Sequence, residues 1–100
     1  KIVAITSGMG STAQHDGTAL IYRSSKAALN NAMRGLAKAL KPDSMTVVSI
    51  HPGWVQTHMG GKNATLTPEV SVSAMRKIIT GLSPSDNGRY INYAGAEIPW

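Results

Sequence analysis

The sequence contains no cysteine, no phenylalanine and few acidic side chains. The absence of cysteine excludes disulfides and thiol chemistry. Aromatic residues make up only 5% of the chain, so its core has to be aliphatic, for which a hydrophobic content of 42% is sufficient. No apolar run approaches the roughly 20 residues of a membrane-spanning helix, and the N-terminus lacks a signal-peptide pattern. We therefore expect a cytoplasmic protein that makes no membrane contact.

The shortage of acids leaves a formal net charge of +5, from 10 Lys and Arg against 5 Asp and Glu. Such an excess attracts acidic partners when it is concentrated in one place. Here the basic residues are scattered, and His15, His51 and His58 are too far apart in sequence to form a local ligand pair. The sequence therefore supports neither nucleic-acid binding nor a metal site.

Three apolar segments rich in strand-forming residues alternate with two helical segments. The strands are expected at 1–6, 45–50 and 89–93, and the helices at 19–40 and from Pro68 onwards. The order strand, helix, strand, helix, strand predicts right-handed crossovers and a parallel sheet in an α/β fold. The continuous apolar run at 1–6 indicates a strand buried on both faces. Because a domain rarely opens on its central strand, we expect the chain to be part of a longer one, with 1–6 as an unpaired edge.

Helix 19–40 carries two nonpolar stripes, and the second helix carries one. The large stripe is Leu29, Met33, Leu36 and Leu40, the small stripe is Ala28, Ala32, Gly35 and Ala39, and the second helix contributes Val72, Met75, Ile79 and Leu82. One stripe of the first helix is expected on the sheet, and the small stripe suits close approach of another helix. That other helix belongs either to a second subunit or to a missing part of the same chain, and the sequence leaves both open.

Tyr22 and Lys26 lie on one face at the start of helix 19–40, because they are four residues apart. An ammonium group near a tyrosine hydroxyl favours the phenolate and so equips the tyrosine for acid–base chemistry near neutral pH. Such a pair also arises by chance, as an exposed lysine beside a half-buried tyrosine. Ligands of parallel sheets bind outside the carboxyl ends of the strands. Ser7 and the Pro52-Gly53 turn both follow such ends, so we expect them to converge with the pair at one edge.

With these features the chain resembles the C-terminal half of a short-chain dehydrogenase/reductase. Three segments carry the resemblance in the family's order: the strand-end serine in 5–7, the Tyr-x-x-x-Lys helix in 22–30 and the Pro-Gly turn in 51–57. Within the family, the C-factor-type carbonyl reductases are the most similar. The resemblance covers essentially all 100 residues. It implies the C-terminal part of one Rossmann-like doubly wound domain, spanning 1–100 and lacking the N-terminal dinucleotide-binding half.

The resemblance also implies a role for each candidate residue. Tyr22 would exchange a proton with the substrate oxygen, and Lys26 would assist it and bind the nicotinamide ribose. Ser7 would hold the carbonyl oxygen, with Ser11 as its nearest rival. Met59 and its loop at 60–63, expected to be mobile, would cover a small carbonyl or alcohol substrate. The nicotinamide of NAD or NADP would be contacted by Tyr22, Lys26, Pro52, Gly53, Val55 and Thr57.

Several family features are absent from the sequence. It has no Gly-rich phosphate loop, because Gly8-x-Gly10 follows the serine strand instead. The residue that selects NAD or NADP and the family's helix asparagine are also absent, and His58 stands where close relatives carry an acid. We therefore predict that the parent protein is an NAD(P)-dependent oxidoreductase and that this chain alone is inactive. The alternatives are a non-catalytic interaction or signalling module and a flavodoxin-like domain without activity. The exposed sheet edge and helix 19–40 further predict a homo-oligomer.

Overall fold

The computed structural model describes residues 1–100 as a three-stranded parallel sheet with two α-helices. The strands are β1 (Ile2–Ile5), β2 (Val47–His51) and β3 (Tyr90–Asn92), and the helices are α1 (Leu20–Ala39) and α2 (Pro68–Gly81). The strand order is β1-β2-β3, and both pairings are parallel. The predicted α/β class, the alternation of elements and the parallel sheet are confirmed. Neither helix combines the length and the apolar character that crossing a membrane requires.

The two helices cover opposite faces of the sheet. Neighbouring residues of a strand point to opposite faces. Accordingly, Val47 packs with the α1 side chains Met33 and Ala37, whereas Val48 packs with the α2 residue Met75. Two separate apolar layers therefore lie on either side of β2, as in a doubly wound sheet.

The buried face of α1 is rotated slightly from the predicted stripe. Met33 is buried, but Leu36 is 36% exposed, and Ala37 occupies the core position instead at 2%. Two polar residues, Arg23 and Asn30, are also buried on this face, so the middle of the buried face lies nearer to Ala37 than to Leu36. The small stripe Ala28, Ala32, Gly35 and Ala39 is exposed along its whole length.

Helix α2 begins as predicted and differs from expectation at one residue. The Thr67 side chain accepts a hydrogen bond from the Val70 amide, with Pro68 in the first helical position. Met75 is buried in the core, but Val72 is 49% exposed. Val72 lies beyond the carboxyl end of β2 and faces a cleft there rather than the sheet.

Strand β1 forms the edge of the sheet, because it pairs only with β2. The edge position is as predicted, but the expectation of burial on both faces is wrong. All four residues are partly or largely exposed, and Ile5 reaches 49%. An apolar run indicates that burial of the segment is favourable, but the actual burial depends on neighbouring segments, which the run itself does not specify.

The C-terminal residues 93–100 fold back on β3. The Asn92 side chain accepts hydrogen bonds from the Ala94 and Ala96 amides and so closes a tight turn. Glu97 then forms an antiparallel bridge with Ile91. The tail ends with the Trp100 ring 5.2 Å from the ring of Tyr90.

Candidate active site at the carboxyl edge of the sheet

A cleft of about 780 Å³ opens at the carboxyl ends of β1 and β2. It lies between the residues that leave these strands, the first turn of α1 and the first two turns of α2. No Asp, Glu, Lys or Arg side chain contributes to its wall. Its lining consists of Thr6, Ser7, Met9, Tyr22, His51, Pro52, Gly53, Trp54, Val55, Thr57, Met59, Gly60, Pro68, Ser71, Val72 and Met75.

Ser7 is held rigidly where β1 ends. Its hydroxyl oxygen accepts a hydrogen bond from the Met9 amide at 3.1 Å and caps the short 3-10 turn at Gly8–Gly10. Its carbonyl oxygen accepts bonds from the Gly10 amide and from the buried hydroxyl of Tyr90. The hydroxyl proton of Ser7 has no partner within the protein. It therefore remains free to donate a hydrogen bond to a group in the cleft.

Tyr22 and Lys26 lie on successive turns at the start of α1. Tyr22 lines the cleft, whereas Lys26 does not. The Lys26 ammonium lies 5.5 Å from the centroid of the Tyr22 ring, within the range of a cation–π contact. Lys26 forms no ion pair, so its charge acts on the tyrosine uncompensated by a carboxylate.

The segment before Tyr22 is fixed by an ion pair. Asp16 accepts bonds from the amide and hydroxyl of Thr18 and pairs with the Arg23 guanidinium at 2.7 Å. The Thr18 bonds, with the Arg23 charge as a smaller contribution, lower the pKa of Asp16. The Arg23 side chain is only 8% exposed. This ion pair, in which the arginine is buried and the aspartate is exposed, links the segment before α1 to the helix turn that carries Tyr22.

The Pro52-Gly53 turn forms the floor of the cleft beside β2. The Pro52 carbonyl accepts a hydrogen bond of 2.7 Å from the buried Ser71 hydroxyl of α2. Gly53 adopts a φ of +86°, which favours glycine, and a Cβ there would lie 2.4 Å from the Leu66 side chain and 2.9 Å from the ring of Tyr93. The turn is therefore held between α2 and Tyr93, the residue that follows β3.

The loop that follows contains closed, hydrogen-bonded turns, and the mobility expected at 60–63 stays a prediction. The Trp54 indole donates to the Gly60 carbonyl at 2.8 Å, and the Gly60 amide donates to the Thr57 hydroxyl at 3.1 Å. A Cβ on Gly60 would lie 1.8 Å from the Val55 carbonyl oxygen, so the fold is specific for glycine. Met59 stands at the mouth of the cleft and is 77% exposed.

Two polar residues of the cleft were not singled out by their sequence. Thr6 Oγ1 and His51 Nδ1 are buried and form no hydrogen bond within the protein. Thr6 and His51 are cross-strand neighbours, because the residues that precede them, Ile5 and Ile50, pair with each other. Burial lowers the pKa of His51 from its usual 6.5, so the imidazole is neutral at physiological pH. The only local signal in the sequence was the position of His51 directly before Pro52-Gly53.

The sequence-predicted residues thus converge with one exception. Six of the seven line a single cleft, and Lys26 contacts Tyr22 beside it. The rival Ser11 is 1% exposed, does not line the cleft and accepts a bond from the Gln14 amide. His58 is exposed and also does not line the cleft.

A family model described as short chain dehydrogenase matches residues 1–67 of the chain. The chain is a member of the short-chain dehydrogenase family. This establishes the resemblance inferred from the motifs, and it identifies the sheet as part of the Rossmann-like fold of that family.

Other short-chain dehydrogenases and carbonyl reductases are similar over nearly the whole chain. C-signal of Myxococcus xanthus is 48% identical over 101 residues, which span 100% of this chain and 61% of that protein. The carbonyl reductase Sniffer of D. melanogaster superimposes with a TM-score of 0.94 at 39% identity, covering 99% of this chain and 40% of its own. An NADPH-bound carbonyl reductase from chicken fatty liver gives 0.90 at 37% identity, covering 99% and 42%. The chain therefore spans about two fifths to three fifths of the length of these relatives.

Proposed function

We propose that the protein containing this chain is an NAD(P)-dependent oxidoreductase that reduces carbonyl groups or oxidises alcohols. The observation that carries the proposal is the convergence of Ser7, Tyr22 and the Pro52-Gly53 turn in one cleft. A chance Tyr-x-x-x-Lys pair would not be expected to share a cleft with a strand-end serine and a clamped turn. Carbonyl reductases among the solved structures of similar fold support this choice of reaction.

Tyr22 and Ser7 have complementary roles at the substrate oxygen. Ser7 donates its free hydroxyl proton and holds the oxygen, while its own oxygen is fixed by the Met9 amide. Tyr22 gives its phenolic proton to that oxygen during reduction and takes it back during oxidation. The Lys26 ammonium stabilises the tyrosinate that remains after the proton has left.

The cleft is suited to a nicotinamide ring, which supplies or accepts the hydride when bound. We assign Pro52, Gly53, Val55 and Thr57 to contacts with the ring, and Tyr22 and Lys26 to its ribose. The supporting observation is the pair of buried polar atoms without a protein partner, Thr6 Oγ1 and His51 Nδ1, in a wall that carries no charged side chain. The Thr57 hydroxyl accepts a hydrogen bond from the Gly60 amide and donates one to the Val55 carbonyl at 3.5 Å, so this residue would contact the ring through its methyl group.

The remaining walls favour uncharged, apolar substrates. Met9, Trp54, Met59 and Val72 all face the cleft, and no charged side chain accompanies them. Burying a substrate charge there would be costly because no partner is available. Methionine side chains adapt to irregular shapes, which suits several aldehydes and ketones rather than a single one.

The test is NADPH and NADH oxidation by the full-length protein with a panel of aldehydes and ketones. Tyr22→Phe should lower kcat about 100-fold or more, as loss of a general acid does. Tyr93→Phe is a matched control, because the Tyr93 hydroxyl lines no part of the cleft. Absence of activity with every substrate, or equal activity in Tyr22→Phe, would refute the proposal.

We further propose that residues 1–100 are the C-terminal part of one domain and bind neither cofactor tightly by themselves. The sequence has no Gly-rich phosphate loop, and the chain spans 61% of C-signal and 40% of Sniffer. Calorimetric titration of this chain with NAD(H) and NADP(H) should show no binding in the micromolar range. A micromolar dissociation constant would contradict this part of the proposal.

A non-catalytic role is the second candidate. It is favoured by the name of the relative C-signal, which is 48% identical. For such a module we propose self-association through α1, whose small stripe is exposed and offers no obstacle at Gly35. Sedimentation should then show a dimer or larger assembly that Ala32→Glu dissociates. A strictly monomeric chain would argue against association.

A further inference from the structure

A second groove, of about 640 Å³, lies between the C-terminal half of α1 and the loop before β3. It shares no lining residue with the cleft, and Arg34 lies 12 residues beyond Tyr22, about 18 Å along the helix. One wall comes from α1 and its exit, the other from the loop at 84–88. The lining consists of Arg34, Ala37, Lys38, Lys41, Pro84, Ser85, Asn87 and Gly88.

The groove is strongly cationic and contains no acid. Arg34, Lys38 and Lys41 supply three positive charges, and none of them forms an ion pair. The ion pairs of the structure use Arg23 and Arg89 instead. These three charges therefore lie side by side along one wall of the groove, and no carboxylate of the protein pairs with them.

The walls of the groove are fixed before any ligand arrives. The Asn87 side chain donates to the Ala37 carbonyl at 2.8 Å and accepts from the Val47 amide at 2.9 Å, which ties the loop to α1 and to β2. The Arg34 guanidinium stacks on the Trp100 ring at 4.8 Å, so its position is restrained while its N–H groups make no protein hydrogen bond. Preorganisation of this kind reduces the entropic cost of binding.

The helix dipole accounts for only part of this arrangement. Cations in the last turn of a helix stabilise it, which explains Lys38 and Lys41. Arg34 lies more than a turn before the end, and the dipole gives no reason for a preformed concave wall opposite the lysines. A multivalent anion would satisfy all three charges at once.

We propose that this groove binds an anion with at least two linked phosphate groups. Arg34, Lys38 and Lys41 are spread over about 10 Å of backbone, so two linked phosphates can contact all three with less convergence of the side chains than a single phosphate requires. Arginine holds phosphate through paired N–H bonds and lysine as a point charge, so the set combines both modes. This site is separate from the nicotinamide site and does not depend on the proposed reaction.

The test uses inorganic pyrophosphate as the probe. Amide chemical shifts of the ¹⁵N-labelled protein should move saturably in the last turns of α1 and at 84–88, at constant ionic strength. The double variant Lys38→Gln/Lys41→Gln should bind about tenfold more weakly or worse, since charge-assisted bonds are lost. The pair Lys62→Gln/Lys77→Gln removes the same charge outside the groove and should leave binding within about twofold.

Two further experiments identify the source of the phosphates and check that the variants remain folded. Lys38→Arg/Lys41→Arg keeps both charges and should retain binding, while thermal melts check that every variant is folded. Co-sedimentation with vesicles carrying a bisphosphorylated inositol lipid, compared with free pyrophosphate, shows whether the phosphates are lipid-borne or soluble. Linear, non-saturating shifts, or equal weakening by the two Lys→Gln pairs, would overturn the proposal.

Discussion

Gly53→Ala is the substitution for which the structure gives the sharpest expectation. Gly53 has a φ of +86°, and its missing Cβ would lie 2.4 Å from Leu66 Cδ1 and 2.9 Å from two ring atoms of Tyr93. The Leu66 methyl group can rotate away. The Tyr93 ring cannot do so without moving the backbone of the turn or of β3.

Two costs add for this substitution. An L-residue in the left-handed region costs about 1–2 kcal/mol, of which part is regained because alanine restricts the unfolded chain. Overpacking costs about 1–3 kcal/mol more. We therefore expect Gly53→Ala to lower the free energy of unfolding by about 2–4 kcal/mol, and to lower activity as well, because the turn forms the cleft floor.

Substitutions at two other glycines allow the backbone cost and the overpacking cost to be measured separately. Gly61 has a φ of +78° and no atom within 4 Å of its missing Cβ, so Gly61→Ala carries the backbone cost alone, about 1 kcal/mol. Gly35 lies inside α1 with open space around it, so Gly35→Ala should raise the free energy of unfolding by about 0.5–1 kcal/mol. Urea unfolding followed by far-UV circular dichroism measures all three. If Gly53→Ala is no more destabilising than Gly61→Ala, the clash with Tyr93 has no energetic weight and the reasoning fails.

Two further predictions concern single side chains at the site. Tyr90→Phe deletes the buried hydrogen bond to the Ser7 carbonyl, which keeps its bond from Gly10, so the loss should be about 1 kcal/mol and the melting temperature should fall by about 4–8 °C. An unchanged melting temperature would show that the bond is not formed. Burial lowers the pKa of His51 from 6.5, so the unfolded chain binds a proton at this imidazole more readily than the folded chain does. The stability that depends on neutral His51 is therefore complete above pH 6.5 and is lost as the pH falls toward the folded-state pKa. An imidazole NMR titration should have its midpoint below 6.5, and His51→Asn should flatten the acid limb of stability against pH; a midpoint at or above 6.5 would contradict the assigned burial.

Local patterns in the sequence were sufficient for the elements and for most of the cleft. The spacing of Tyr22 and Lys26 places them on one helix face whatever the surroundings, and the Pro52-Gly53 turn follows a recognisable strand. Parallel pairing then brings Ser7 to the same edge. Each of these inferences needs only the period of an element and the rule that connects it to the next.

Burial of polar side chains could not be read in the same way. Asn30 is 2% exposed because the 3-10 turn at Gly8–Gly10 packs on α1, where a Cβ at Gly10 would lie 2.7 Å from the Asn30 amide nitrogen. Arg23 is buried because Asp16, seven residues earlier, turns back to pair with it. Periodicity assigns such residues to solvent, because it takes no account of a specific partner outside the helix.

Strand β3 and the residue after it carry no candidate catalytic residue, yet they contact both Ser7 and the Pro52-Gly53 turn. The Tyr90 hydroxyl bonds the Ser7 carbonyl, 83 residues away in sequence, and the Tyr93 ring closes against Gly53. The start of β3 is itself fixed by Arg89, which pairs with Asp86 and Glu97. Tyr22 and Lys26, by contrast, keep their relation through α1 alone. A change in β3 should therefore displace Ser7 and the floor of the cleft together while it leaves the Tyr22–Lys26 contact intact, so that the positioning proposed for substrate and cofactor is lost before the acid–base capacity proposed for Tyr22.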